Sequence, residues 1–465
     1  MKKRKIVVGI VCLALVLSLL GAVSRTKATK DNTDIKSRVL AEVKRGYTNR
    51  LNQETISEPM DEEYLRRSDK ANLAYNKIMS HVFSTDDVLR SVFAGAYMDA
   101  VGNLVVMLNE DNVECKELIT NVLKCEEVVF FEGHGNYYAT MKKLADIDEC
   151  IASMQEAVIG DCADEETKKL MRMYPRTEYK DATNTIQIFV DVEESLLPYV
   201  LGENVQEPDS EVQKRVDEYN EGISLLEEII QCDAEMVSVE IVPGTGYQQG
   251  EDLTITWRPG RFIFVVAYGA TQGSTLSTGY RAQYTYSGTT KYGFVTCAHG
   301  NSIGDLVCVS NTGSPIQLGT IIDRTYVGRL DVAFMEFTNS NYTNGQAIYY
   351  TDSIGGTTQG DVLDGTWTLA TENQLIYKSG ATTYLTAGYV ESTSASGYFN
   401  NVYFFGMIKA DRSMAASGDS GGVTYATYGT NSAKAIGIVK GSLSDTKTVF
   451  IKADRIEYLF YAQPY

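Results

Sequence analysis

The residues with the clearest chemistry lie in three short motifs. Ser420 stands at the centre of Gly-Asp-Ser-Gly-Gly at 418–422, a turn that can present its hydroxyl. His299 ends the run Gly-Phe-Val-Thr-Cys-Ala-His, and Asp331 is the second residue of the apolar run Leu-Asp-Val-Ala-Phe-Met. A nucleophilic hydroxyl, a histidine that takes its proton and a carboxylate that orients the histidine form a catalytic triad. The three motifs therefore predict acyl transfer by Ser420, His299 and Asp331.

Each motif alone has a structural explanation, because glycine-rich turns, core histidines and aspartates at strand edges are all common. Their joint occurrence in one chain favours the catalytic interpretation. The sequence has three histidines, and His299 is the only one in its C-terminal half. Asp305 and Asp323 are nearby alternatives for the carboxylate. Asp331 is preferred because the apolar run at 332–337 predicts a strand that would fix it in the core.

The charges divide the 465-residue chain into two parts. Residues 1–240 hold 28 basic and 44 acidic side chains, whereas residues 241–465 hold 14 and 16. Such a change in composition predicts at least two domains. Neither part carries the excess positive charge with which proteins bind nucleic-acid phosphates, so we expect no nucleic-acid partner.

The N-terminus has the composition of an export signal. A basic stretch at 2–5 precedes an apolar stretch at 6–23, and small residues at 22–24 offer a cleavage site. We expect residues 1–24 to be a cleaved signal peptide and the protein to be secreted. The alternative is an uncleaved anchor that retains the protein at the cell surface, since an apolar stretch of this length is borderline for crossing a bilayer.

Hydrophobic spacing predicts different architectures for the two parts. Residues 25–245 combine helical spacing with strand alternation, which predicts an α+β domain. The stretch 243–250, with one proline and three glycines, predicts a linker. Residues 246–465 alternate short β-rich segments with turns, which predicts an all-β domain of barrels or a sandwich. The predicted helices lie at 31–84, 113–124, 137–158, 209–231 and 453–461, and the predicted strands of the first part at 92–97, 104–108, 128–131, 185–192 and 236–242.

Seven cysteines remain after Cys12 in the predicted signal peptide, so they cannot all pair within one chain. Cys297 and Cys308 could form a disulfide between adjacent strands if their Cα atoms lie within about 7 Å. No Cys or His cluster in the sequence has the spacing of zinc ligands, and we expect neither a metal nor a cofactor.

The C-terminal motifs resemble those of the chymotrypsin-like serine proteases, and in particular the bacterial alpha-lytic protease and streptogrisin group. The similarity extends over about 260–465. Beside the triad motifs it includes Lys-Ser-Gly-Ala-Thr-Thr at 378–383 and Ile-Gly-Ile-Val at 436–439. The N-terminal part resembles the pro region of the same group, around 97–107 and 185–242.

The resemblance implies a catalytic domain at 246–465 made of two six-stranded antiparallel β-barrels, with the site between them. It implies a serine endopeptidase that hydrolyses protein or peptide substrates through an acyl-enzyme, with the backbone N–H groups of Gly418 and Ser420 as oxyanion hole. It also implies that residues 25–245 are a pro region that assists folding and then inhibits the protease. Lys378 is expected to form a buried ion pair with Asp419.

The chain departs from this family at several positions. Tyr377 and Met414 stand where the family usually has cysteines, and Lys440 stands where it usually has serine. The resemblance places the substrate pocket at Ser413, Met414, Lys440, Gly441 and Ser442. These residues offer no carboxylate for a basic side chain, so we expect little cleavage after Lys or Arg. A small or apolar residue before the scissile bond is the first choice, and an acidic residue is the alternative.

Two other functions stay open at this stage. A secreted binding module could keep the fold without catalysis, and the same triad could serve an esterase. The serine motif also fits the Gly-x-Ser-x-Gly turn of the α/β-hydrolases. That fold places its histidine last, and no histidine follows Ser420 in this sequence.

Overall fold

The fold is that of a computed structural model, which describes residues 62–99, 102–202, 208–230, 236–243, 262–266, 273–286, 288–311, 314–339, 347–351, 357–400, 402–428, 432–444 and 447–465. The predicted signal peptide, residues 31–61 of the predicted first helix and the predicted linker beyond residue 243 lie outside these ranges. Within them, no helix is long and apolar enough to cross a membrane.

The N-terminal half mixes helices and strands, as predicted. Its helices are α1 (Glu62–Ser84), α2 (Val88–Val92), α3 (Val113–Glu117), α4 (Tyr137–Ile159), α5 (Glu165–Met171), α6 (Leu197–Val200) and α7 (Ser210–Ile229), with a π-helical turn at Leu118–Val122. Its strands are β1 (Phe93–Met98), β2 (Leu104–Leu108), β3 (Val128–Glu132), β4 (Arg176–Lys180), β5 (Thr185–Val192) and β6 (Val237–Pro243).

Local sequence explains where several of these elements begin and which face they bury. The side chains of Asn136, Asp164 and Asp209 accept backbone N–H groups at the starts of α4, α5 and α7. Such caps satisfy donors that have no partner inside a helix. In β5 every second residue is buried, which is the period of a strand with one face on a core.

The C-terminal half consists almost entirely of strands. They are β7 (Phe262–Val266), β8 (Gly273–Ser277), β9 (Arg281–Tyr286), β10 (Thr289–Thr296), β11 (Leu306–Asn311), β12 (Ser314–Val327), β13 (Leu330–Phe337), β14 (Ala347–Thr351), β15 (Thr357–Trp367), β16 (Leu375–Gly380), β17 (Tyr384–Phe399), β18 (Val402–Ala410), β19 (Val423–Thr427), β20 (Ser432–Ser444), β21 (Lys447–Lys452) and β22 (Ala462–Pro464). The predicted closing helix is α8 (Ala453–Phe460). The all-β class predicted for this half is confirmed.

Six strands of the second barrel form a closed ring. The pairs run from β16 to β17, β18, β21, β20 and β19 and back to β16, and all are antiparallel. The first sheet has the order β22-β9-β10-β13-β12-β11-β7-β8 among the described strands, which is two more than the six predicted. Closure pairs each of these six strands on both sides and gives the serine turn, between β18 and β19, a rigid support.

The two halves share a sheet. Strand β4 pairs with β17 of the second barrel at Glu178 and Ala395, and β5 and β6 continue the sheet outward. Tyr403 and Phe405 of β18 belong to the same hydrophobic core as the helices of the N-terminal half. Met60–Tyr465 accordingly packs as one compact unit. The division into domains at 245/246 stays a prediction from the sequence.

Candidate active site

Pairing of β10 with β13 brings the predicted base and its carboxylate together. Thr296, near the end of β10, lies opposite Ala333 of β13, so His299 follows directly beside Asp331. The Nδ1–H of His299 donates to Oδ2 of Asp331 at 2.5 Å. Oδ1 of Asp331 accepts from the backbone N–H groups of Ala298 at 2.7 Å and His299 at 2.9 Å. The carboxylate thus fixes the imidazole in the tautomer that leaves Nε2 as the base.

Charge controls the protonation of this pair. Burial on its own raises the pKa of Asp331, but the positive charges of His299 and Lys440 outweigh it and hold that pKa well below its usual range. Burial lowers the pKa of His299, whereas the charge and hydrogen bond of Asp331 raise it, and the net change is upward. Asp331 is therefore an ionised, fully buried partner of the base.

The two alternative carboxylates contact other groups. Asp305 accepts from the backbone N–H of Ser302 at 2.6 Å. Asp323 accepts from the backbone N–H of Arg324 at 2.7 Å and from the hydroxyl of Tyr284. The structure thus places Asp331, rather than Asp305 or Asp323, against His299.

The turn that carries Ser420 packs on the strand that leads to His299. Gly421 has a φ of 83°, and a Cβ at this position would lie 2.2 Å from Oγ1 of Thr296 and 2.7 Å from the backbone N of Cys297. Only glycine permits this approach. Among the described residues, the hydroxyl of Ser420 and Nε2 of His299 make no hydrogen bond with each other; such bonds are often long without substrate and tighten in the reacting complex.

The predicted oxyanion donors lie in the same turn. Gly418 has a φ of 93°, and a Cβ there would be 2.6 Å from Oγ1 of Thr382. Within the described part of the chain, neither the N–H of Gly418 nor that of Ser420 donates to another protein group. Both donors are therefore available for the oxygen of a substrate carbonyl.

Lys378 and Asp419 meet beneath this turn. Nζ of Lys378 lies 3.2 Å from Oδ2 of Asp419, and both side chains are fully buried. Asp419 also accepts from the backbone N–H groups of Ala416 at 2.9 Å and Thr382 at 2.7 Å, and from the hydroxyl of Thr383 at 2.7 Å. The carboxylate next to the nucleophile is thus satisfied inside the chain.

The predicted pocket residues differ in their placement. Ser413 and Ser442 are exposed, Gly441 is partly buried, and Met414 is buried in the core of the second barrel. Lys440 requires a correction, because its ammonium is buried against Asp331 at 2.8 Å rather than open to substrate. It cannot reach a substrate side chain while it makes this contact.

The predicted disulfide is absent. Cys297 and Cys308 are both buried and both free. Cys297 follows β10 and Cys308 lies on β11, and β13 and β12 stand between these strands in the sheet. The sequence left this disulfide open, and the strand order decides against it. No group of three or more His, Cys, Asp or Glu side chains in the described ranges could hold a metal ion.

Sequence reasoning missed Ser277, which ties the serine turn to β8 of the first sheet. Its hydroxyl donates to the carbonyl of Gly418 at 2.8 Å, and its N–H donates to the carbonyl of Ser420 at 2.8 Å. Its carbonyl accepts from the hydroxyl of Thr296 at 2.8 Å. A serine in a Gly/Ser/Thr-rich stretch carries no motif that would reveal this role.

Comparison with solved structures finds serine proteases that resemble part of this chain. The bacterial members found include the Nocardiopsis protease NAPase, with 20% identity and a TM-score of 0.34 over 44% of this chain and 96% of that chain. Thermobifida fusca protease A matches with 21% identity and a TM-score of 0.34 over 44% and 96%. An alpha-lytic protease homologue matches with 18% identity and a TM-score of 0.32 over 44% and 97%. No protein-family model and no curated protein matches the chain. At this identity the likeness concerns the fold alone.

Proposed function

We propose that this protein is a secreted serine endopeptidase that hydrolyses peptide bonds through an acyl-enzyme. The observation that carries the proposal is the bond from His299 to a buried, ionised Asp331 beside the turn of Ser420. Ser420 attacks the substrate carbonyl while Nε2 of His299 takes its proton, and Asp331 stabilises the imidazolium that forms. The N–H groups of Gly418 and Ser420 bind the developing oxyanion, where one donor is worth ~10²–10³ in turnover.

Peptide hydrolysis by single variants tests this proposal. Ser420→Ala and His299→Ala should each lower kcat by a factor on the order of 10⁶, since the triad acts as a unit. Ser417→Ala, three residues away in the same loop and exposed, is the matched control and should keep wild-type activity. Hydrolysis of esters but not of peptides would favour the esterase. No hydrolysis of either would favour the binding module.

Specificity is the finer part of the proposal. We infer cleavage after a small or apolar residue, because the acidic side chain nearest to the pocket residues upstream, Asp411, is held by Arg412 at 2.7 Å and by the backbone N–H of Tyr389 at 2.9 Å. The contact of Lys440 with Asp331 also removes the cation that acidic substrates would need. Digestion of a peptide library should show little cleavage after Lys or Arg. A dominant Lys or Arg preference would mean that the pocket lies elsewhere.

We further propose that residues 25–245 are a pro region that assists folding and inhibits the protease. Its support is the shared sheet, in which Ser392 of β17 donates to the carbonyl of Tyr179 at 2.8 Å and Ser396 accepts from the N–H of Thr177 at 2.6 Å. Residues 262–465 alone should refold poorly, and residues 25–245 added in trans should restore activity and then inhibit it. Equal refolding yields with and without that segment would exclude the folding role.

A further inference from the structure

Lys440 is a charged residue of the site to which the triad gives no role. Its ammonium lies 2.8 Å from Oδ2 of Asp331, which is the same oxygen that accepts from Nδ1 of His299. Oδ1 of Asp331 is occupied by two backbone N–H groups. The carboxylate is therefore shared between the base and a second cationic side chain.

The surroundings of the ammonium are apolar. Only 3% of Lys440 is exposed. Its Nζ lies 4.4, 4.5 and 4.9 Å from the ring centroids of Phe404, Phe399 and Tyr326. Ring faces attract a cation, but a buried ammonium still needs an opposite charge. Among the described residues, Asp331 is the only carboxylate at ion-pair distance from Lys440.

The backbone is built to hold Lys440 in this place. The register between β20 and β21 shifts between Val439 and Gly441, so Lys440 is the extra residue of a β-bulge. Bulges re-aim a side chain out of the regular alternation of a strand. Val439 donates to the carbonyl of Gly422 at 2.8 Å and accepts from the N–H of Gly421 at 2.9 Å, which fixes the bulge to the serine turn.

Two charges act on His299 in opposite directions. Asp331 favours the imidazolium, whereas a second cation disfavours it. Because Nδ1 and the Lys440 ammonium both contact one oxygen, they lie no more than about 5 Å apart, a distance at which unit charges interact strongly inside a protein. Among the described residues, the other titratable groups that face this cluster are Cys297 after β10 and Tyr326 on β12, and neither carries positive charge.

We infer that Lys440 is a positioning residue that holds Asp331 against His299 and offsets part of its charge, so that the base stays unprotonated at lower pH than Asp331 alone would allow. This inference rests on the proposed function, in which Lys440 would support the three residues of the triad. It also gives a reason for a lysine where the resembling family usually has serine, since serine could donate a hydrogen bond to Asp331 without offsetting its charge.

The test is an NMR titration of the His299 ring in the full chain with Ser420→Ala, which prevents self-cleavage. The protein has three histidines, so the His299 signal is the one lost in His299→Ala. Lys440→Gln keeps the length and a donor but removes the charge. It should raise the measured pKa of His299 by about one unit or more. Lys440→Arg keeps the charge and should leave that pKa within about 0.3 units.

Every outcome decides the inference. An unchanged or lower pKa of His299 in Lys440→Gln would overturn it. Lys440→Ser is the second neutral variant if the first does not fold; if neither folds, Lys440 serves the fold rather than the base, and the inference is wrong. The titration needs no catalysis. If the chain that keeps Ser420 hydrolyses no peptide, the proposed function is contradicted, but the pKa measured for His299 still stands. In an active chain, the acid limb of kcat/KM should move to higher pH in Lys440→Gln.

Discussion

Two groups of buried carboxylates in this protein differ in the partners that surround them. In the candidate active site, Asp331 and Asp419 each contact a lysine ammonium and at least two backbone N–H groups. At the contact between the two halves, Asp148 accepts from the hydroxyls of Thr177 at 2.6 Å and Tyr403 at 2.8 Å, and it contacts no cation at ion-pair distance among the described residues. The contacts in the candidate active site favour ionised carboxylates, whereas those at the contact between the halves favour a neutral carboxylic acid.

The pKa of Asp331 is lowered, whereas the pKa values of the carboxyls at the contact between the halves are raised. Burial raises the pKa of Asp148 to about 7, and burial likewise raises the pKa of Glu372 to about 7. The pKa of Asp181, which accepts from Thr393 across the same contact, is raised by burial and by the charge of Glu372. Asp331 therefore keeps its charge at neutral pH, whereas the carboxyls of Asp148 and Glu372 lose protons as the pH rises through about 7.

Among the tests of these carboxylates, the largest expected effect comes from replacing one carboxylate of each group by an amide. Asp331→Asn should lower kcat by ~10⁴, because the amide stabilises the wrong tautomer of His299. Asp148→Asn should leave kcat of the active enzyme unchanged, because residue 148 belongs to the proposed pro region and an amide there can still accept from Thr177 and Tyr403 while that region assists folding. Steady-state kinetics of the two variants measures both effects. Equal losses in the two variants would remove the distinction.

The buried ion pair of Lys378 and Asp419 should give the next largest effect. Lys378→Met leaves the Asp419 charge without its cation and should lower the free energy of unfolding by ~3–5 kcal/mol. Lys434→Met is the control, because Lys434 lies 3.9 Å from Asp364 and both are partly exposed. Such a pair contributes about 0–1 kcal/mol. Denaturant unfolding of both variants measures the difference, and a similar small loss in each would count against a structural role for Lys378.

A smaller effect concerns pH. A carboxyl whose pKa is raised in the folded state stabilises that state fully below its unfolded pKa of about 4, and the contribution disappears as the pH rises through about 7. The free energy of unfolding of the full chain with Ser420→Ala should thus fall by about 1–3 kcal/mol from pH 5 to 7.5 through Asp148. Asp148→Asn should flatten this dependence.

The control for this effect is Asp146→Asn, an exposed aspartate one half-turn away on the same helix. It should leave the pH dependence as it is in the parent protein. If the free energy of unfolding depends on pH in the same way in Asp148→Asn and in the parent protein, Asp148 is not a neutral acid in the folded chain.

Motif spacing and strand patterns predicted most of what lies in regular elements. The apolar run after Asp331 selected the carboxylate that the structure places against His299, and strand alternation located β5 within a residue. Strand β4 was missed, because Arg-Thr-Glu-Tyr-Lys lacks the apolar alternation that predicts a strand, although its three central residues are buried.

Contacts between distant parts of the chain could not be predicted in this way. The place of Lys440 depends on a bulge in β20 and on rings from three other strands, none of which has a local signal. Whether Cys297 and Cys308 form a disulfide stayed open for the same reason, since the spacing of cysteines in the sequence does not determine the order of strands in a sheet. The placement of these residues depends on which residues surround them in the folded chain, and residue types alone do not show this.

The central claim is that Ser420 is a nucleophile activated by His299, and covalent labelling tests it most directly. The full-length protein should be treated with a fluorophosphonate and the adduct located by mass spectrometry. The account predicts a single adduct on Ser420 that is lost in His299→Ala and retained in Ser417→Ala. A protein that forms no adduct, or one that is labelled equally well without His299, would contradict it.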